Sequence, residues 1–228
     1  MHDNDSFRLI ILNENWMSRN LGYEADHALS IIKALDTSSP LFTISLKEME
    51  HYDWNRQQIT LTDDATQRFA QSLEKAGRLT DGAEKLKSLK NSMGWGNPLQ
   101  SALYTRIFLV VFNKEIIYGG IFLDATSQMA INYPVARVLL DDGKAVISLL
   151  PIHIPFVNED PVDSRGNMRG LAVTDEAKAD IEALNSNDSF IDKWIGGLAA
   201  SPVAQEHRKM LRNPMIKRVL EASGKIEK

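Results

Sequence analysis

The spacing of the apolar runs after residue 102 constrains this chain more than any other feature. Tyr104, Ile107, Phe108, Val110, Val111 and Phe112 make a run rich in strand-favouring residues. Only Asn113-Lys114 divides it from a second extended run, 115–123. A further pair, 135–140 and 145–154, is split by Asp141-Asp142-Gly143-Lys144. Asp-Gly between apolar runs marks a two-residue hairpin, because both residues tolerate positive φ; Lys114 in the second turn position makes the first signal weaker. Connections this short join antiparallel neighbours, whereas a parallel crossover takes a dozen residues or more. A doubly wound parallel fold is therefore excluded for this segment.

Helical patterns flank these strands. Ala25, Ala28, Leu29, Ile32 and Leu35 recur at helical spacing within 23–35, and Thr37-Ser38-Ser39-Pro40 stops the pattern. Residues 41–44 read as a short strand. Ser45 and Glu48 have capping-box spacing, which predicts a brief helical turn to Glu50, and 58–61 read as another strand. Thr62 is an N-cap followed by Asp63-Asp64, then Ala65, Phe69 and Leu73, with Gly77 as the stop. A basic helix is expected at 83–90, broken by Gly94-Trp95-Gly96-Asn97-Pro98, and a long loop at 155–171. Thr174-Asp175 caps a helix over 176–184, and a last helical region runs from 203 to about 222, interrupted near Pro214. The expected architecture is α+β: one domain over 1–228, an antiparallel sheet of about four to six strands, and helices before and after it on one face.

Composition narrows the function classes. The 228 residues are 43% hydrophobic and 25% charged, as in globular proteins. With 0 cysteines, disulfides, thiolate metal sites and cysteine nucleophiles are excluded, and the composition leans toward an exported bacterial protein. The first residues, MHDNDSFR, are acidic and polar and do not form a leader, so the compartment is periplasmic if a leader was removed and otherwise cytoplasmic. A net charge of −4 argues against nucleic acid as a main partner. That balance is uneven: 205–228 carry seven basic against three acidic residues, net +4, leaving −8 on the rest. Docking of this basic tail on its own acidic body is the preferred reading. The longest apolar stretches fall far short of the ~20 residues that span a bilayer.

No nucleotide, metallopeptidase, serine-hydrolase or EF-hand motif is present, and no cofactor is expected. Gly94-Trp95-Gly96 lacks the third glycine of a dinucleotide fingerprint, and the acidic run within 158–165 lacks the order of a calcium loop. Gly119-Gly120 is unusual inside an apolar strand. It signals a bulge or close backbone approach, or a ligand lying over bare backbone with Asp124, Thr126 and Ser127 supplying hydrogen bonds. His153, at an apolar strand end, is a core-edge residue satisfied by a backbone carbonyl or a base at a cleft. His51, Asp53 and Trp54 form the densest polar-aromatic cluster; His51 and Asp53 share a face only if the segment is extended.

Ile59-Thr60-Leu61-Thr62, then Ala65 and Phe69, then the strand Arg106-Ile107-Phe108-Leu109-Val110-Val111-Phe112 with its hairpin resemble a stretch of the periplasmic region of the SecD protein-export subunit. The resemblance covers about 60 residues by position. It implies an exported, non-catalytic interaction domain and carries over no functional residue. The expected function is thus binding of a protein, peptide or cell-envelope partner through a sheet edge near Gly119-Gly120 and neighbouring loops. The alternative is a hydrolase or other acid-base enzyme using His153 or His51 with Asp124 or Asp53.

Overall fold

The computed structural model describes residues 7–80, 97–154 and 201–226. The helices expected at 83–90 and 176–184, the Gly94-Trp95-Gly96 segment and the loop at 155–171 with its acidic run lie outside the described residues.

Strands β1 (Phe7–Asn15), β2 (Pro40–Ser45), β3 (Met49–Asp53), β4 (Gln58–Leu61), β5 (Arg106–Phe112), β6 (Glu115–Phe122), β7 (Val135–Asp141) and β8 (Lys144–Leu150) form one sheet. Its order is β2-β1-β5-β6-β7-β8-β4-β3. The architecture is α+β, but the sheet has eight strands where about four to six were expected. Neighbours are antiparallel except β6 and β7, which run parallel. Two strands account for most of the difference in number. β1 follows directly on the polar opening residues, and β3 begins at Met49, within the last two residues of the predicted helical turn. Ser45 and Glu48 do meet as their spacing allows, but in one direction only: the Ser45 N–H and hydroxyl both donate to the Glu48 carboxylate, while the Glu48 N–H donates to the Ser45 carbonyl and not to the hydroxyl. The contact closes a turn between strands and not a helix. Burial opposes ionisation of Glu48, but the bonds from Ser45 and Arg68 outweigh it and hold its pKa below the usual carboxylate range.

β2 and β3 stand at opposite ends of the strand order, yet only residues 46–48 connect them. The sheet must therefore coil until its two edges meet at that corner. Phe7 of β1 and Tyr52 of β3 accordingly touch edge to face, with ring centroids 6.5 Å apart.

Both faces are covered, a correction to the one-sided packing expected. Phe7, Leu9 and Ile11 of β1 and Phe108, Val110 and Phe112 of β5 enter one apolar cluster. Ile10 and Leu12 of β1 and Ile107, Leu109 and Val111 of β5 enter the other. Strands buried on both faces read as continuous apolar runs. Helix α1 (Ala25–Ile32) lies on the second face through Ala25, Ala28 and Ile32. On the first lie α2 (Asp63–Lys75) and α3 (Pro98–Leu103). The apolar stripe of α2, Ala65, Phe69 and Leu73, is fully buried there, and burying Phe69 and Leu73 contributes about 2 kcal/mol each. Thr62 caps α2 by accepting from the Ala65 N–H. Gly77, at φ +67°, ends it with the paired bonds Gly77 N to Glu74 O and Arg78 N to Leu73 O, a Schellman closure.

β7 runs on past the end of β6, which leaves Val138 without a strand on that side. Asn97 and Gln100 take the strand's place: Asn97 Nδ2 donates to the Val138 carbonyl at 2.8 Å, and the Val138 N–H donates to Gln100 Oε1 at 2.8 Å. Helices α4 (Pro202–Leu211) and α5 (Pro214–Ala222) each begin with proline after a capping residue, Ser201 and Asn213. The break near Pro214 falls where the sequence places it. Leu211, Ile216 and Leu220 join the first cluster, so the described part of the basic tail docks on the body of the same chain. Beyond α5 the chain runs beside edge strand β3, with the Tyr52 N–H donating to the Lys225 carbonyl at 2.6 Å.

Candidate functional site

The coiled sheet places several of the sequence-selected residues at the junction of β6 and β7. This junction is narrow: only Ile121 with Val135 and Phe122 with Ala136 are in register. Gly119 and Gly120 lie just before it and are buried. A Cβ on Gly120 would stand 1.7 Å from the Pro134 carbonyl oxygen. One on Gly119 would stand 2.6 Å from the Phe108 carbonyl and 2.7 Å from Ile32 Cγ2. The glycines therefore admit a close approach by the chain's own backbone and by α1. β6 is also the fourth strand of eight, so the sheet edge expected near Gly119-Gly120 is instead sheet interior. The β5–β6 irregularity falls between Val110 and Val111, away from the glycines.

The segment 123–134 then folds over the junction. Asp124 Oδ1 accepts from the Thr126 N–H at 2.9 Å and its hydroxyl at 2.6 Å, and the Ser127 N–H donates to the Asp124 carbonyl at 3.1 Å. This is a side-chain-closed turn, which is why Asp suits its first position. His153 reaches it from the end of β8. Its Nε2 lies 2.9 Å from the Ser127 carbonyl, an acceptor only, so that nitrogen carries the proton. Nδ1 is left to accept from Arg137 Nη2 at 3.2 Å. His153 is 2% exposed. Burial, reinforced by the Arg137 charge, brings its pKa down to about 4 against the opposing pull of the Ser127 carbonyl and Asp124. It is a neutral brace with both ring nitrogens engaged, and its backbone adds a two-bond bridge to Ile131. Ser127 Oγ accepts from the Met129 N–H at 3.3 Å and lies 3.4 Å from the Tyr104 hydroxyl.

His51, Asp53 and Trp54 lie elsewhere, at the β3–β4 hairpin. β3 is extended, so His51 and Asp53 do share a face. His51 Nε2 is 3.1 Å from the Thr60 hydroxyl across the strand pair. Asp53 Oδ1 closes the hairpin by accepting the Asn55 and Arg56 N–H groups, each at 2.9 Å. Trp54 stacks on Tyr52 at 5.9 Å and carries Lys217 of α5 over its ring at 5.8 Å. These contacts tie the hairpin to the C-terminal helices.

A surface the sequence reading does not select adjoins the His153 brace. Trp16 and Tyr23 stack at 5.2 Å. The Trp16 N–H donates to the Thr105 carbonyl at 2.9 Å, next to Tyr104. The Tyr104 hydroxyl reaches Ser127 and also Met129 Sδ, at 3.7 Å. Asn132 N donates to the Tyr23 carbonyl at 3.2 Å, closing the ring of contacts back to Trp16. Around this rim Met17 is 77% exposed, Tyr23 49% and Tyr104 42%. Met17 and Tyr23 carry the sequence signal of large side chains in a connection, whereas Tyr104 reads as the start of an apolar run and is left outside β5, which begins at Arg106.

Among the described residues no group of three or more His, Asp or Glu is placed to hold a metal ion, and no helix is long and apolar enough to cross a membrane. No protein-family model, curated protein or solved structure matches the chain.

Proposed function

We propose that this chain is a non-catalytic binding domain that engages a protein or peptide partner through the aromatic and sulfur-lined rim of Trp16, Met17, Tyr23, Tyr104 and Met129. The observation that carries this reading is that Met17, Tyr23 and Tyr104, three large apolar side chains left in water, sit on segments joined by the Trp16–Tyr23 ring contact and the bond from the Trp16 N–H to the Thr105 carbonyl. Aromatic and methionine side chains are enriched at the contact centres of protein interfaces, where they bury large areas at modest entropic cost. The rim is also held in shape. Trp16 Nε1 and the Tyr133 hydroxyl both donate to the Gly22 carbonyl, at 2.8 and 3.1 Å, and His153 braces the segment bearing Met129. Loops pinned to a rigid sheet lose little freedom on binding.

Site-specific photo-crosslinking in the source cells tests this. A photoreactive residue at Met17 or at Tyr104 is expected to give the same discrete crosslinked species, and Met17→Asp should abolish the product formed from position 104. Crosslinks from Gln71 and Lys75 on α2 alone, with none from the rim, would overturn the proposal.

A further inference from the structure

A second feature lies on the other face of the sheet, where the ends of β1 and α2 meet the start of β5. Arg106 shares the Phe108 side of β5 and is 8% exposed. A guanidinium so buried is normally matched by a carboxylate, because an unpaired buried charge is costly. Among the described residues Arg106 Nη1 instead donates to the backbone carbonyl of Asn13, and its Nε is buried with no acceptor there. A second guanidinium approaches the same residue: Arg78 Nη2 donates to Asn13 Oδ1 at 3.1 Å. The Schellman closure of α2 fixes the backbone that carries Arg78. Burial and the charge of Arg78 both work against the Arg106 cation. Glu14, the residue after Asn13, pairs with Arg19 through Oε1, and its Oε2 is buried without a partner among the described residues.

We infer that Arg106 and Arg78 form a binding site for a phosphate group. Two forked donors converging on one residue, one of them with an unused buried N–H, match the several acceptor oxygens of a phosphate. A phosphate carries about −1.5 to −2 charge at neutral pH, enough to neutralise both cations; a single carboxylate would leave one over. This site is independent of the rim and stands or falls separately.

The test follows the arginine Nε–H resonances of the full chain by ¹⁵N NMR at constant ionic strength. The titrants are inorganic phosphate, phenyl phosphate and acetate. Arg106 Nε–H is expected to shift saturably with both phosphates and not with acetate; the tighter of the two tells whether a free phosphate or a phosphate ester is preferred. Arg78→Gln is expected to weaken binding about tenfold. Arg106→Lys should weaken it comparably, but loss of a buried group can unfold the chain, so the decision rests on the exposed Arg78. Absence of a saturable response, a response to acetate equal to that for phosphate, or unchanged binding in Arg78→Gln would overturn the inference.

Discussion

Gly120→Ala probes the β6–β7 junction directly. The added Cβ would stand 1.7 Å from the Pro134 carbonyl oxygen, 2.6 Å from its carbon and 3.0 Å from Phe108 Cε1. Since ordinary contact begins at 3.4 Å, the Pro134 peptide has to retreat by well over 1 Å. That peptide is backbone, so no side-chain rotation relieves the clash. It also accepts the Ile121 N–H, at 3.4 Å, and leads straight into the two-residue parallel ladder. Overpacking of this kind costs about 1–3 kcal/mol and a lost hydrogen bond about 1, so destabilisation of about 3 kcal/mol is expected. In urea denaturation the midpoint should fall with the slope unchanged, and in a thermal scan Tm should drop by about 6–12 °C. Gly143→Ala is the control: its Cβ meets nothing within 4 Å, and its cost of about 1 kcal/mol comes from φ +80° alone. If Gly120→Ala stays within about 0.5 kcal/mol of wild type, the close approach does not constrain the junction as argued.

Three further outcomes are expected. The pKa of His153 falls on folding, from an ordinary 6.5 to about 4, so its contribution is complete above about pH 6.5 and is lost as pH drops toward 4. This amounts to about 3 kcal/mol over that window, and urea unfolding at a series of pH values should show His153→Gln with a markedly flatter acid limb. Asn97→Ala removes both the α3 cap and the bond to the Val138 carbonyl; a loss of about 2 kcal/mol is expected by the same assay, and a loss near zero would mean water replaces the side chain. Ending the chain after Gly224 removes the acceptor of the Tyr52 N–H, and hydrogen exchange should show that amide losing protection while the β7–β8 amides keep theirs.

The sequence makes local features legible wherever the local signal also wins in the fold. Asp142 and Gly143 both take positive φ between the paired residues Asp141 and Lys144, as the turn chemistry demands. Asn113 and Lys114 do the same despite the lysine, because strands paired on both sides of the turn override a weak residue preference. Helix α2 begins at its cap and ends at its glycine. β1 lacks the alternation that marks a half-buried strand because both its faces are covered, and its flanking polar residues draw attention from it. The capping-box pair at Ser45 and Glu48 specifies a contact, and the contact fits a strand-to-strand turn as well as a helix. At the candidate site, Asp124, Ser127 and His153 are readable as a polar group near a glycine pair, and the structure does bring them together. Arg137, Tyr104 and Trp16 are not, because what joins them is the meeting of strands distant in the chain.

The order of strands also has a consequence in time. The first 61 residues make two separate ribbons, β1 with β2 and β3 with β4, linked at the corner turn. The four strands of 106–150 all come between them, β5 against β1 and β8 against β4. During synthesis the arms of this bracket emerge first and its filling last, and two-stranded ribbons are marginal alone in water. Until the filling arrives, β1 and β4 each present an unsatisfied inner flank. A nascent chain is thus most exposed to misassociation along strand flanks that the finished protein pairs inside its sheet.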